Sequence, residues 1–351
     1  MTIKYLDSKR LEGVAGDLTS ANLTSGTGGW KEVGRTTLGS VGDTITVSSL
    51  ANKRYYMVLG YKQSSGTTDF NWRVGNGSVD PNDNYSRRQS SNGGTDTTNI
   101  GYNRMFGDNG GASTPSFQVG YFANKSGKEK FNITHSVSQG TAGAIPTRRE
   151  SVNKWTNTSL IDVIQGVNVE GGDFVSGSEV VVLGWDESDT HTKNFWEELA
   201  SVELGSATSI LSSGVFTAKK YLWVQIFSNS SNASLGYTMR FNSDNTTSYA
   251  RRVSSNGANP DSTNASQAQL NIGNPTAPNF GNYFIINNSA NEKLLIGHTV
   301  DAPTAGSGNP PSRSDGVGKW SNTTSQITTI SIDAGTGTWD TGSIIKVWGS
   351  N

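Results

Sequence analysis

The strongest constraint on the fold of this chain is an internal repeat with a period of about 165 residues. Six ordered pairs of segments recur at offsets of 163 to 166 residues, and the clearest is YSRRQSSNG at 85–93 against YARRVSSNG at 249–257. The other pairs begin at Trp30 and Trp196, Lys53 and Lys219, Glu129 and Glu292, Pro146 and Pro311, and Phe174 and Trp339. Solenoid units are shorter, roughly 20–50 residues, so this period predicts two copies of a whole domain.

The repeat also predicts the domain boundaries. The first copy spans residues 29–185 and the second spans 195–351, with the polar segment 186–194 as a linker. Residues 1–28 belong to neither copy and form an N-terminal arm. The first ten residues carry charges and contain no apolar stretch of the kind a secretion signal needs. We therefore expect synthesis in the cytoplasm without a signal peptide.

Within each copy, short segments alternate between apolar and polar residues and end at turn residues. Thr44–Val47 and 70–74 are examples in the first copy, and Asn92-Gly93 and Asn256-Gly257 are matched turn signals. About eight such strands in each copy are typical of a jelly roll, in which two sheets enclose one core. We predict an all-β chain of two tandem jelly-roll-like antiparallel β-sandwiches, related by internal duplication and preceded by the extended arm.

Composition excludes several functional classes. Charged residues make up 16% of the chain and the net charge is −1, so the basic surface that binds nucleic acid is missing. No apolar run approaches the ~20 residues of a membrane span, and we expect no membrane insertion. The chain contains no cysteine, which excludes disulfides and thiolate metal sites. The chain has 9 Trp, 11 Tyr and 12 Phe, whose side chains bury large apolar areas when a chain folds. This aromatic content argues against an intrinsically disordered chain.

The sequence offers little catalytic chemistry. His135 and His298 occupy matching strand positions and His191 lies in the linker. No second histidine or carboxylate cluster stands two or four residues from either strand histidine, so we interpret both as half-buried structural residues. Acidic residues at 186–189 and 197–198 do not alternate along a strand as two facing glycosidase carboxylates would. We expect no enzymatic activity and no cofactor.

A turn at Asp80, Asn82 and Asp83 groups oxygen atoms of the type that Ca²⁺ prefers. The matching segment 242–245 has fewer carboxylates. Side chains in such turns ordinarily bond to nearby backbone N–H groups, and this interpretation is favoured. We therefore predict no metal site, with these three residues as weak calcium candidates.

Repeated arginine pairs, Arg87-Arg88 and Arg251-Arg252, have two interpretations. They either stack on tyrosine at a sheet edge or contact another domain or subunit, where arginine is enriched. Copies of the fold are also expected to pair through sheet edges. The full set of candidate interface residues is Tyr5, Asp7, Lys9, Arg10, Arg87, Arg88, Arg251 and Arg252.

The tryptophans divide into two groups. Trp30 and Trp196 match between the copies, as do Trp155 and Trp320, and this recurrence favours core packing. Trp72, Trp185 and Trp223 have no tryptophan counterpart. If exposed, these three side chains would stack on sugar rings.

Three segments resemble virion structural proteins encoded in marine environmental viral genomes: residues 3–13, 190–200 and 342–349. Similar segments belong to tandem β-sandwich proteins of the capsid-decoration or head-fibre type in tailed phages or archaeal viruses. The resemblance implies a virion component without enzymatic activity. We expect this component to lie on the capsid exterior, with residues 1–28 attaching it to capsid or other virion proteins. We also expect self-association, with a trimer favoured, and host-surface glycans as candidate partners.

Two other functions remain open. Two jelly rolls in about 350 residues is also the plan of double-jelly-roll major capsid proteins. The two rolls of those proteins share little sequence, unlike the copies in this chain. A carbohydrate-binding adhesin is the further alternative, and it would require the unmatched tryptophans to be exposed.

Overall fold

The computed structural model describes residues 29–108, 114–187, 189, 194–229, 238–258, 260–272, 278–302, 304 and 306–351. These residues form 26 strands, labelled β1 to β26, and the described part of the chain contains no helix. The predicted all-β class is therefore confirmed. The arm candidates Tyr5, Asp7, Lys9 and Arg10 lie outside the described residues, as does His191.

Fifteen strands lie between residues 31 and 185. They are β1 Lys31–Thr37, β2 Thr44–Val47, β3 Tyr55–Lys62, β4 Ser64–Ser65, β5 Phe70–Asn76, β6 Ser78–Val79, β7 Tyr85–Ser91, β8 Thr97–Tyr102, β9 Met105–Asp108, β10 Ser116–Ala123, β11 Lys130–Ser138, β12 Thr147–Trp155, β13 Val163–Val167, β14 Asp173–Phe174 and β15 Glu179–Trp185.

Eleven strands follow between residues 197 and 350. They are β16 Glu197–Glu203, β17 Ile210–Ser212, β18 Tyr221–Ser228, β19 Thr238–Phe241, β20 Tyr249–Ser255, β21 Ser262–Gln267, β22 Asn279–Ile286, β23 Lys293–Asp301, β24 Ser312–Trp320, β25 Ile330–Asp333 and β26 Ile344–Ser350.

Each half of the chain builds one eight-stranded antiparallel sheet. The first large sheet has the order β1-β15-β3-β10-β11-β12-β7-β8, and the second has β16-β26-β18-β22-β23-β24-β20-β21. The two orders correspond place by place along the chain. Smaller sheets, β2-β13-β5-β6 with β9 beside β5, and β17-β25-β19, accompany them.

The expectation of about eight strands in each half is too low. Strands such as β8 (TTNIGY) and β21 (STNASQ) are polar and largely exposed, so they carry no apolar alternation. Ladder hydrogen bonds to β7 and β20 hold them in the sheet instead. The asparagine–glycine turns sit beside these strands, and Asn92 and Gly93 have φ of 53° and 72°. Such positive φ values are what a tight hairpin turn requires.

Each half encloses a core between its large and its small sheet. Phe70, Trp72 and Trp155 pack in the first core, and Phe241 and Trp320 pack in the second. Trp155 and Trp320 are each 1% exposed, as their recurrence suggested.

A third core lies between the two large sheets and joins the halves. Leu59, Phe117 and Val119 of the first half pack there with Phe284 and Ile296 of the second. The molecule is therefore four layers deep, with the large sheets face to face inside and the small sheets outside. Among the described residues, no sheet contains strands from both halves, so the expected pairing through sheet edges does not join them. The outer faces of the central strands are too apolar to remain in water and pack against each other instead.

Strand β3 shows how one segment serves two cores. Tyr56 and Val58 point into the first half's own core, whereas Met57 and Leu59 point into the core between the large sheets. Successive strand residues face opposite sides, so a strand that is apolar on both faces must be covered twice.

Candidate functional site

The interface between the large sheets combines its apolar core with buried polar links. Arg148 of β12 donates Nε to Asp261 Oδ2 at 3.0 Å and Nη2 to Asp261 Oδ1 at 2.9 Å. Asp261 precedes β21 in the second half, and its side chain is fully buried. This bidentate ion pair fixes one end of the interface, because the planar guanidinium can donate both hydrogen bonds to the carboxylate in only a narrow range of orientations.

A second link centres on Glu179 of β15. Its carboxylate accepts a hydrogen bond from Tyr221 Oη at 2.6 Å and pairs with Lys220 Nζ at 3.0 Å, both in the second half. Arg35 and Thr37 contact it from the first half. Burial raises the pKa of Glu179, but these hydrogen bonds and cations outweigh burial and leave the pKa below 4.5.

A third link is the buried Lys319 of β24. Its ammonium pairs with Glu292 at 2.9 Å and donates to the carbonyl oxygens of Gln139 and Thr141 in the first half, at 2.8 and 2.9 Å. Burial lowers the pKa of Lys319, and the Glu292 carboxylate partly offsets that shift.

Two histidines from different halves meet in the same interface. His135 Nδ1 lies 2.5 Å from His298 Nε2, and the ring centroids are 4.4 Å apart. Glu150 stands directly across the ladder from His135, and Asp315 stands directly across from His298. One ligand atom from each of His135, Glu150 and His298 can be chosen so that all three lie within 4.8 Å of one another.

Burial keeps both imidazoles neutral. It lowers the pKa of His135 to about 3, and the neighbouring His298 and Arg148 contribute to the shift. Burial likewise lowers the pKa of His298, against the opposing effect of Asp315. The pKa of Asp315 is raised by burial and by the like charge of Glu150. Neutral imidazole is the form that donates a lone pair to a metal ion.

Solvent reaches His135 from one side. A cleft of about 220 Å³ opens beside it, with Arg88, Ser90, His135, Glu150 and Val152 among its walls. Sequence reasoning missed this cluster because it looked for partners close in sequence. The sequence feature that could have indicated the cluster is the matched position of the two histidines in the repeat.

A separate apolar groove of about 350 Å³ lies on the exposed part of the first large sheet. Tyr55 and Trp185 stack at its wall, with ring centroids 5.5 Å apart and planes 23° apart. Phe131 and Ile133 on its floor are 57% and 49% exposed. Exposed apolar surface of this kind marks a contact site.

The four arginines predicted to lie at an interface occupy different environments. The Arg87 guanidinium lies 4.3 Å from the ring centre of Tyr102, and Arg88 is exposed with Asp96 at 3.6 Å. Arg252 donates Nε to the carbonyl oxygen of Pro146 at 3.0 Å, which is a contact between the halves. Arg251 is half-buried on β20.

The prediction that Trp72 could stack on a glycan is wrong. Trp72 is 0% exposed, because β5 turns it into the first core beside Phe70. Trp223 is half-buried and stacks on Phe284 at 5.9 Å, at the margin of the interface between the sheets. Trp185 alone of the three lies on the open groove.

The weak calcium candidates form a turn whose main carboxylate is already engaged. Asp80 accepts hydrogen bonds from Trp155 Nε1 at 2.8 Å, Asn84 Nδ2 at 2.8 Å and the Asn82 backbone N–H at 3.0 Å. Burial raises the pKa of Asp80, and these donors outweigh burial and lower it overall. Asp83 is exposed. A calcium ion would have to displace donors that stabilise the turn.

No family model and no curated protein matches the chain. Among solved structures, it is similar to the attachment invasion locus protein Ail of Yersinia pestis, with 5% identity over 80% of this chain and 99% of that one, at a TM-score of 0.12. Neisserial surface protein A gives 8% identity over 81% and 99%, at 0.10, and the NanC porin gives 11% over 76% and 98%, at 0.12. These TM-scores are too low to carry an argument. Among the described residues, no helix is long and apolar enough to cross a membrane.

Proposed function

We propose that the chain is a non-enzymatic virion structural protein, a capsid decoration or head-fibre protein on the particle exterior. In this proposal its halves are duplicated jelly-roll-like sandwiches, and the arm of residues 1–28 attaches them to capsid or other virion proteins. The observation that supports the proposal is the apolar core between the two large sheets, which joins the two halves of the chain.

The polar links support the same interpretation. Arg148 and Glu179 form buried ion pairs between the halves, and the buried ammonium of Lys319 donates to backbone carbonyl oxygens of the first half. In this proposal the buried ionic groups serve to select one arrangement of the two halves. A component that repeats over a particle surface needs one well-defined shape.

The aromatic groove is the proposed contact for self-association, with a second copy of this chain as its occupant. Its lining of Tyr55, Tyr121, Phe131 and Trp185 is rich in the aromatic residues that interfaces favour. We expect trimers in solution, measured by light scattering. Phe131→Ser should shift them towards monomer, whereas Phe227→Ser, at an exposed apolar residue of the second half, should not.

Purified virions test the proposal directly. Mass spectrometry of the particles should detect the full-length chain, and a chain without residues 1–25 should be absent from them. A chain with the same 25 residues in scrambled order is the matched control and should also be absent. Incorporation of the shortened chain would contradict attachment through the arm, and absence of the full chain would contradict the virion role. Particles formed by the protein alone would instead indicate the major capsid alternative.

A carbohydrate-binding adhesin is the second candidate, and the stacked Tyr55–Trp185 pair is the observation that favours it. Aromatic faces of this kind stack on sugar rings. A glycan array should then show binding by the intact chain and loss of binding by Trp185→Ala. Retained binding by that variant would exclude the groove as the glycan site.

A further inference from the structure

We propose that His135, His298 and Glu150 bind one divalent transition-metal ion, with Zn²⁺ the best match, and that this ion cross-links the two large sheets. The site goes beyond the proposed virion role and does not depend on it. It would join β11 of the first half to β23 of the second.

The donor set fits zinc chemistry. Two imidazole nitrogens and one carboxylate oxygen form a recurrent set of three protein ligands in zinc sites, with a fourth position left for water or another group. The three donor atoms already lie within 4.8 Å of one another. The chain has no cysteine to compete for the ion.

Metal binding requires a small adjustment of the imidazole pair. With Zn–N bonds of about 2.0–2.1 Å, two tetrahedral ligand nitrogens stand about 3.3 Å apart. The facing nitrogens of His135 and His298 lie 2.5 Å apart, so the rings must separate by a fraction of an ångström. The ring that donates in the present hydrogen bond must also move its proton to its other nitrogen. Both facing nitrogens then present lone pairs, and no proton is lost.

Neighbouring charges decide whether a cation is tolerated. Arg148 contacts Glu150 and opposes a metal ion, but Asp261 holds the same guanidinium through two hydrogen bonds and offsets its charge. Asp315 lies across the ladder from His298 and adds a second carboxylate, paired with Arg313 at 2.8 Å. The formal charges of Asp261, Glu150 and Asp315 and of their partners Arg148 and Arg313 sum to −1, which attracts a divalent cation.

Access and rigidity also favour the site. The cleft beside His135 and Glu150 gives an ion a route from solvent. Both histidines stand on central strands of eight-stranded sheets, so the ladders hold their backbones in place. Ligands carried by rigid elements lose little freedom when the ion binds.

The test uses the full chain without a histidine tag, after chelation and dialysis. Calorimetric titration with Zn²⁺ should show one ion per chain, and Co²⁺ should give the visible absorption of a site with four or five ligands. Zn²⁺ should also raise the melting temperature. His135→Asn, His298→Asn and Glu150→Gln should each weaken Zn²⁺ binding by at least about tenfold.

The third histidine provides the matched control, since the chain has only three. His191→Asn should bind Zn²⁺ like the unaltered chain. If the unaltered chain shows no saturable binding at millimolar Zn²⁺, or if the double variant His135→Asn/His298→Asn binds as tightly as the unaltered chain, the proposal is wrong. Circular dichroism identifies any variant that does not fold, and the remaining variants and the unaltered chain still decide the result.

Discussion

At the scale of single residues, the contact between the halves depends on a few buried polar side chains. Glu179 is one, because it accepts from Tyr221 and pairs with Lys220 across the interface. Arg148 is another, through Asp261. Substitution of either partner lowers the free energy of unfolding, because the remaining charged or polar group is then buried without its hydrogen bonds and opposite charge.

Glu179→Gln should lower the free energy of unfolding by about 1.5–3 kcal/mol at pH 7, the range for hydrogen bonds to charged groups. The folded pKa of Glu179 lies below its ordinary value of 4.5, so its carboxylate stabilises the protein above that value. This contribution is lost as the pH falls through the lower, folded pKa. Denaturant unfolding at pH 7 and pH 3 should therefore show a smaller acid sensitivity for the variant. Glu32→Gln, at an exposed partner of Arg35, is the control and should change little.

Asp261→Ala should cost about 3–5 kcal/mol, because it leaves the Arg148 guanidinium without its main buried partner. Asp96→Ala removes the partner of Arg88 from an exposed pair and should cost at most about 1 kcal/mol. Denaturant unfolding of the two variants measures the difference. Equal losses would contradict a buried role for the Arg148–Asp261 pair.

At the scale of elements, the same cap closes the end of β12 and of β24. Trp155 Nε1 donates to Asp80 at 2.8 Å, and Trp320 Nε1 donates to Asp244 at 2.6 Å. Tyr85 and Tyr249 complete each cap, since their hydroxyls donate to the carbonyl oxygens of Val74 on β5 and Phe241 on β19. The turn residues thus serve to satisfy a buried indole N–H.

Asp80→Ala and Asp244→Ala should each destabilise the protein by about 1–3 kcal/mol, because each leaves a tryptophan N–H unsatisfied. The two losses should be similar, as the two caps use the same donor and acceptor. Thermal melts of both variants, with Asp83→Ala as an exposed control from the same turn, test this prediction. A large effect of Asp83→Ala would point to a bound calcium ion instead.

Strand positions were the most predictable feature of the fold. Alternation located β2 and the core of β5, because each presents one apolar side to one core. It did not reveal β8 or β21, which are mostly polar and in which the large aliphatic side chain of Ile100 is exposed. The contact between His135 and His298 could not be predicted from the sequence either, because the two residues lie 163 positions apart and meet only where the two large sheets pack together.

At the scale of the whole molecule, the two halves behave as one body because they share an apolar core. Leu59 and Ile296 lie within it and are almost fully buried, whereas Ile133 on the same sheet face is 49% exposed. Separation of the halves would return this apolar surface to water.

We therefore expect a single unfolding transition for the intact chain in calorimetry. A protease site placed between residues 190 and 193 should allow cleavage, and the two fragments should stay together in gel filtration. Leu59→Asp should separate the transitions of the halves, because it puts a charge into the shared core, whereas Ile133→Asp should not. Fragments that separate after cleavage without denaturant would contradict a shared core.

The sequence by itself determined the all-β class, the location of the apolar strands and the burial of Trp155 and Trp320, because these follow from local alternation and from recurrence along the chain. Only the tertiary structure decided what covers each face of the large sheets, that Trp72 is buried, and that His135 meets His298. The physical reason is that an apolar strand face must be buried, but its sequence does not specify the surface that buries it.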